Sequence, residues 1–453
     1  MTSTGNMRPG TKGSLNPDCA HSHALLDFAQ YMNPQQVRVL KAAGLDIVEG
    51  DRSGAWVWDV DGRKFLDCFT SAGSFNIGRR HPRIVAAMHE AVEHLDHGNF
   101  LLCSQYKAAL AHKLADLAPG GLCCTTFGTG GGEVIDFAIK LARGATGRSK
   151  IISTLNGYHG HTGFALSAAG RDVYKAPFGP LMSEFARVPY GDLDAARAEI
   201  DPGTAAVLIE PIQGEGGVVV PPDGYLAGLR QACDESGALL IIDEIQTGLG
   251  RTGRWFACEH WGVVPDIMTV AKSLGGSLVA ISAAIYTDQL REFLIPNPFI
   301  HLSTFGGSDL ACAIALETLS VIEDEDLVKR SMHLGERLRG GLEVLADSRP
   351  EVFAEVRGLG LMVGIEYRDD SMGPRMSYHL GRHGVLAIYT GNAPSVMRLM
   401  PPLVIGEAEI DFLLEALYNA VEDLLNGVGD DEPVRKRPRR RPARQAQIAG
   451  GTT

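Results

Sequence analysis

The chain has 453 residues, 45% hydrophobic and 21% charged, with a formal net charge of −12. That is the composition of a globular protein of two or three domains, and its acidity argues against nucleic acid as the main partner. No apolar run approaches the roughly 18 residues of a membrane helix, so a membrane partner is not expected.

The first residues, MTSTGNMRPGTKGSLNPDCAHSH, lack the apolar core of a secretory signal. The eight cysteines include the adjacent pair Cys123-Cys124 but no C-x-x-C spacing. Reduced thiols and a cytoplasmic location are expected.

In chain order, residues 1–22 are rich in Gly, Ser, Asn and Pro and read as a flexible segment. Leu25–Ala43 has helix-like spacing broken near Pro34. Ala55–Leu66 alternates about Asp61-Gly62 and predicts a hairpin. Residues 67–80 read as a loop, and Pro82–Leu95 as a helix with proline in its first turn.

From about 105 to 290, short apolar runs alternate with helical stretches. Val207–Glu210, Leu239–Asp243, Ile267–Val270 and Ile281–Ile285 are strand candidates, while Tyr106–Leu117 and Pro222–Ser236 read as helices. The alternation predicts an α/β fold with a mainly parallel sheet flanked by helices. A long helical region at Leu310–Ala346, strands within Val352–Tyr367 and Arg398–Val404, and a helix at Glu407–Leu425 predict a smaller α+β domain. The boundaries are 1–22, 23–85 (the first part of the small domain), 86–335 (the large domain), 336–427 (the rest of the small domain) and 428–453. In the last segment VRKRPRRRPAR, Val434–Arg444, has seven basic residues and reads as a disordered tail.

Three places carry chemistry. The first is the pair of strand ends at Asp243 and Lys272. Loops at the carboxyl ends of parallel strands are where α/β sheets hold ligands. A lysine and a carboxylate so placed match the needs of pyridoxal phosphate chemistry, an amine to bond the cofactor and an anion to keep its ring nitrogen protonated. Two strand-end charges facing water remain the plain alternative.

The second place is Gly130-Gly131-Gly132, immediately before a helix whose Val134, Phe137, Ala138 and Leu141 share one face. Unpaired N–H groups at a helix start bind phosphate, and glycine allows close approach. The dinucleotide pattern G-x-G-x-x-G fails at Glu133. The third is Asn156–Thr162, NGYHGHT, where Tyr158 could offer a flat face to a ring. No carboxylate or cysteine stands beside His159 and His161, so no metal site is expected.

Together these segments resemble the class III, or ω-, aminotransferases, fold type I pyridoxal phosphate enzymes that include ornithine, acetylornithine, 4-aminobutyrate and putrescine aminotransferases. The resemblance runs from about Gly44 to Leu425. Its strongest parts are VLIEPIQGEGG at Val207–Gly217, IDEIQTGLGRTG at Ile242–Gly253 and PDIMTVAKSLGG at Pro265–Gly276.

The resemblance implies pyridoxal 5′-phosphate as cofactor and a ping-pong Schiff-base transfer of a terminal amino group between an amine and 2-oxoglutarate. Lys272 would bond the cofactor and carry the proton, and Asp243 would pair with the ring nitrogen. Gln246 would meet the phenolic oxygen, Tyr158 and Ile245 would flank the ring, and Gly131 and Gly132 would hold the phosphate. Thr304 would reach the phosphate in a partner subunit, implying a homodimer with shared sites. Arg398 would grip a substrate carboxylate, with Glu215 as its alternative partner. An aminomutase, decarboxylase, racemase or lyase of the same fold is the alternative chemistry.

Two positions depart from the family pattern. Gly130-Gly131-Gly132 stands for Ser-Gly-Ser/Thr, which removes hydroxyl contacts to phosphate. His161 stands where ornithine-type enzymes carry an arginine for an α-carboxylate. A diamine, an ω-amino compound or a biosynthetic aldehyde acceptor therefore fits better than an α-amino acid, with Phe75 and Tyr174 as candidate site walls.

Overall fold

Asp61-Gly62 turns the chain where the alternation predicts it. In the computed structural model, which describes residues 17–428, β1 (Glu49–Ser53), β2 (Trp56–Asp59) and β3 (Lys64–Asp67) form an antiparallel meander. Gly62 takes φ +85°, and Asp59 accepts the N–H groups of Asp61 and Arg63 to close the turn. The basic stretch Val434–Arg444 and the first 16 residues lie outside the described residues. Ahead of the meander, helices occupy Pro17–Tyr31 and Pro34–Ala42, divided at the predicted proline. The first begins before Leu25 because its His21, Ser22 and His23 carry no apolar stripe for the spacing to reveal.

The central element is a seven-stranded sheet. Its strands are β4 (Leu122–Gly128), β5 (Lys150–Thr154), β6 (Phe185–Val188), β7 (Thr204–Ile209), β8 (Leu239–Asp243), β9 (Ile267–Val270) and β10 (Ser282–Thr287). The order is β4-β10-β9-β8-β7-β5-β6. The pairs β6/β5, β5/β7, β7/β8 and β8/β9 are parallel. Every residue of β7 and β9 is buried, which is why these strands read as apolar runs rather than alternations. β10 runs antiparallel to both β9 and β4, so its first residues reach the rim where the other strands end. Helix Gly131–Thr146 buries Val134, Phe137, Ala138 and Leu141, as its spacing predicts, and also Ile135, Ile139 and Ala142. Side chains of the larger apolar kinds contribute about 1.5–3 kcal/mol each on full burial.

The remaining strands are β11 (Phe353–Leu359), β12 (Met362–Tyr367), β13 (Val385–Leu386), β14 (Ile388–Tyr389) and β15 (Val396–Leu399). β11, β12, β15 and β14 form an antiparallel sheet, while β13 joins β3 in parallel. The chain leaves β15 at Met400, earlier than the expected Val404, because Pro401-Pro402 cannot donate to a ladder. The long helical region is two helices, Asp309–Asp324 and Leu327–Ser348, parted at Glu325 and the left-handed Asp326 (φ +54°). An acidic run at a helix C-terminus opposes the helix dipole, and Glu323–Asp326 marks the break.

Arg251 ties the loop after β8 to the C-terminal sheet. It is fully buried and donates to the carbonyls of Leu361 (2.9 Å) and Pro401 (2.5 Å) and to the Asn76 side-chain oxygen (2.7 Å). Burial pulls its pKa down to about 9. Removing the guanidinium would leave buried acceptors unpaired, at about 1–3 kcal/mol each.

Candidate active site

A cleft of about 360 Å³ opens at the rim where β4, β7, β8 and β9 end and β10 begins. Lys272 follows β9 by two residues, in a left-handed conformation (φ +44°) that a non-glycine residue adopts at a cost. Asp243 is the last residue of β8. Both side chains line the cleft, with Gly131, Gly132, Tyr158, Glu215, Ile245 and Gln246.

Asp243 is held on both oxygens. Its Oδ1 accepts the Ile245 N–H at 3.1 Å and lies 3.4 Å from the Thr269 hydroxyl. Its Oδ2 accepts from Nδ1 of the buried His159 at 2.8 Å. Burial opposes an imidazolium, but the hydrogen bond to Asp243 and the charges of Asp243 and Glu210 outweigh it and raise the His159 pKa. His159 and His161 do not converge: His161 is exposed, with its ring 5.4 Å from both Tyr158 and Tyr174.

Beneath Asp243, buried Glu210 accepts the N–H groups of Tyr158 (2.9 Å) and Gly214 (3.0 Å) and fixes the Asn156–Thr162 loop. Burial above all, reinforced by Asp243, pushes the Glu210 pKa up to about 7 against the pull of His159 and these N–H groups.

The Lys272 side chain makes no hydrogen bond or ion pair to another described residue. Burial and the nearby Arg398 guanidinium lower its pKa to about 8, outweighing Glu215, Asp243 and Glu210. Such a lysine is a nucleophile near neutral pH.

The glycine loop is built for close approach. The N–H groups of Gly131 and Gly132 have no partner among the described residues, at the start of the helix Gly131–Thr146. A Cβ on Gly132 would stand 2.7 Å from the Thr162 hydroxyl, and one on Gly131 would stand 3.0 Å from Ile245. Glu133 holds the residue just before the three glycines, accepting from the Thr129 N–H (2.6 Å) and hydroxyl (2.8 Å). Across the cleft Gln246 donates to the Ala72 carbonyl at 3.0 Å, while its buried Oε1 has no partner among the described residues.

Arg398 and Glu215 form a short ion pair at the edge of the cleft, with Arg398 buried on β15. Burial opposes the Glu215 carboxylate, but Arg398, the Gly391 N–H (3.0 Å) and Lys272 outweigh it and lower its pKa. Asn392 anchors this edge: its Oδ1 accepts from the Tyr174 hydroxyl (3.0 Å) and its Nδ2 donates to the Asn156 carbonyl (2.8 Å).

Of the sequence-derived candidates, Arg398 and His161 stand beside the cleft rather than in its lining, and Thr304 is exposed outside it. Tyr174 backs Tyr158 and His161, whereas Phe75 lines a separate cavity under the Arg79 guanidinium (4.1 Å). His159 has no local sequence signal for its role, because its bond to Asp243 spans 84 residues. Asn392 lies in the stretch YTGNAP, which carries no chemical signature.

These features fit pyridoxal phosphate. The unpartnered glycine N–H groups suit a phosphate, the His159-supported carboxylate suits a pyridinium, the unpartnered Gln246 oxygen suits a phenol, and the unpaired lysine suits a carbonyl carbon.

The family description Aminotransferase class-III matches residues 41–421. An uncharacterized aminotransferase of Archaeoglobus fulgidus is 46% identical over 395 residues, covering 87% of this chain and 93% of its own. A putrescine aminotransferase of Pectobacterium atrosepticum is 37% identical over 440 residues, covering 92% and 93%. Among solved structures, the ornithine aminotransferase of Toxoplasma gondii superimposes with a TM-score of 0.84 at 32% identity, covering 90% of this chain and 96% of its own.

Proposed function

The chain belongs to the class III aminotransferases, pyridoxal phosphate-dependent transaminases, and on that premise we propose that it moves a terminal amino group between a diamine or other ω-amino compound and 2-oxoglutarate. The observation that carries this reading is the pairing, in one cleft, of an unbonded lysine of pKa about 8 with a carboxylate fixed on both oxygens. The bound cofactor supplies an electron sink for the carbon that bears the amine.

The chain's own residues do the rest. Lys272 would hold the cofactor through its amine and would carry the proton at the reacting carbon as a general acid and base. Asp243, held by His159, would offer its carboxylate to the ring nitrogen. Gly131 and Gly132 would donate backbone N–H groups to the phosphate, Gln246 would meet the phenolic oxygen, and Tyr158 and Ile245 would flank the ring. Arg398 takes the 2-oxoglutarate carboxylate bidentately when Glu215 turns away, and is neutralised by Glu215 when the amine substrate has no carboxylate.

The diamine assignment is supported by His161, which puts an imidazole where a carboxylate-binding arginine would otherwise stand, and by the putrescine aminotransferase relative. A homodimer with shared sites accords with Thr304 lying outside its own cleft in a segment that exposes Ile295, Phe299, Ile300, Leu302 and Phe305. On the same reading the large domain spans 86–335, and the β3–β13 pairing supports one small domain built from 23–85 and 336–427. A cytoplasmic location completes the assignment; no helix among the described residues is long and apolar enough to cross a membrane.

A panel of diamines, ω-amino acids and α-amino acids, read by glutamate formation from 2-oxoglutarate, tests the reading. Diamines should lead; a clear preference for α-amino acids would overturn the substrate class.

A further inference from the structure

At the other end of β4 from the glycine loop, the ladder slips. Tyr286 of β10 faces Cys124, but Thr287 faces Leu122, so Cys123 is an extra residue in the strand. A β-bulge re-aims side chains that would otherwise alternate between faces. Here it brings the two adjacent cysteines together, with Cys123 Sγ 3.8 Å from Cys124 Sγ. The helix Asp288–Leu294 starts directly after β10 and sets Asp288 Oδ1 3.9 Å from Cys124 Sγ. All three donor atoms lie within 4.8 Å of one another.

The sulfur–sulfur spacing is that of a coordination shell, and the carboxylate stands just outside one. Two thiolates at ~2.3 Å from a tetrahedral zinc ion stand ~3.8 Å apart, and a carboxylate oxygen at ~2.0–2.2 Å stands ~3.6 Å from each sulfur. The sulfur pair already has the first spacing; the carboxylate oxygen, 3.9 Å from one sulfur and within 4.8 Å of the other, closes to the second by a shift of up to about 1 Å, which a side-chain rotation of the exposed Asp288 can supply.

We infer that Cys123, Cys124 and Asp288 form a surface site for one soft or borderline divalent cation, of the class of Zn²⁺ or Cd²⁺, with solvent in the fourth position. Sulfur donors select such ions over Mg²⁺ and Ca²⁺. Binding joins the cation to both sulfurs and one carboxylate oxygen, and the two thiol protons leave to solvent. Arg291 is the competitor, paired with the same Asp288 oxygen at 2.5 Å. Both partners of that pair are exposed, where ion pairs are weak. The bound ion would clamp the start of β4, an edge strand of the seven-stranded sheet, to the helix after β10.

The test is a Cd²⁺ titration of the reduced, pyridoxal phosphate-loaded full chain, followed by thiolate-to-cadmium absorbance in the ultraviolet and by thermal melting. The expected result is one ion per chain and a melting temperature raised by Cd²⁺. Cys123→Ser and Cys124→Ser should each abolish the band. Asp288→Ala should weaken binding by at least about tenfold, one ligand's worth of affinity. Cys103→Ser, at an exposed cysteine elsewhere on the surface, should change nothing. No band in the parent protein, a band that survives Cys124→Ser, a band lost in Cys103→Ser, or full affinity in Asp288→Ala would each overturn the site.

Discussion

Replacing His159 by phenylalanine probes the support of Asp243 without touching the cleft's reacting groups. The Asp243 Oδ1 has two protein donors, but among the described residues Oδ2 has only His159, at 2.8 Å. A hydrogen bond to a charged group contributes about 1.5–3 kcal/mol. At 1.36 kcal/mol per tenfold, that predicts a loss of about 10- to 100-fold in pyridoxal phosphate affinity and in kcat. The assay is cofactor binding followed by its absorbance, with the pH profile of that band as the readout that mere misfolding would not shift. His159→Asn, which keeps an N–H donor in the same region, should restore part of the loss, and the KM for 2-oxoglutarate should hold within about twofold, since Arg398 is untouched. A His159→Phe protein with affinity, pH profile and kcat all within twofold of the parent would refute the reasoning.

Further outcomes follow from the same geometry. Because the Lys272 pKa is lowered to about 8, its neutral, nucleophilic form dominates above that pH. The rate at which the apoenzyme captures pyridoxal phosphate should therefore rise with pH and level off near 8; a rate still climbing toward the ordinary lysine pKa of about 10.4 would contradict it. Arg398→Ala should raise the KM for 2-oxoglutarate by about 10- to 100-fold, the scale of a lost charge-assisted bidentate contact, with the diamine half-reaction much less affected. Glu215→Ala should do the reverse, slowing the diamine half-reaction while sparing 2-oxoglutarate; stopped-flow half-reactions separate the two. Gly132→Ala puts a methyl 2.7 Å from the Thr162 hydroxyl. It should lower pyridoxal phosphate retention by about tenfold while costing the apoenzyme only about 1–3 kcal/mol, measured by dialysis and melting.

What the sequence revealed depended on whether the signal was local. The apolar runs ending at Asp243 and before Lys272 are strands with those limits, because burial on both faces leaves little but apolar residues. The glycine loop and its helix were legible for the same reason. The antiparallel direction of β10 has no signal within the strand itself; only the connection 271–281, shorter than the dozen or so residues a parallel crossover needs, points to it. His159 gave only a histidine in a glycine-rich loop, since its partner lies on another strand. The latch of Arg251, the anchoring by Asn392 and the bulge at Cys123 depend on which segments the fold brings together, and no periodicity encodes that.

The central claim is that amine nitrogen passes to 2-oxoglutarate through Lys272. The most direct measurement supplies a nitrogen-15-labelled diamine and 2-oxoglutarate to the pyridoxal phosphate-loaded enzyme and follows the label by mass spectrometry. The account predicts labelled glutamate, formed repeatedly by the parent enzyme and not at all by Lys272→Ala. Cofactor-loaded enzyme that consumes the diamine without labelling glutamate, or a Lys272→Ala protein that still turns over, would contradict it.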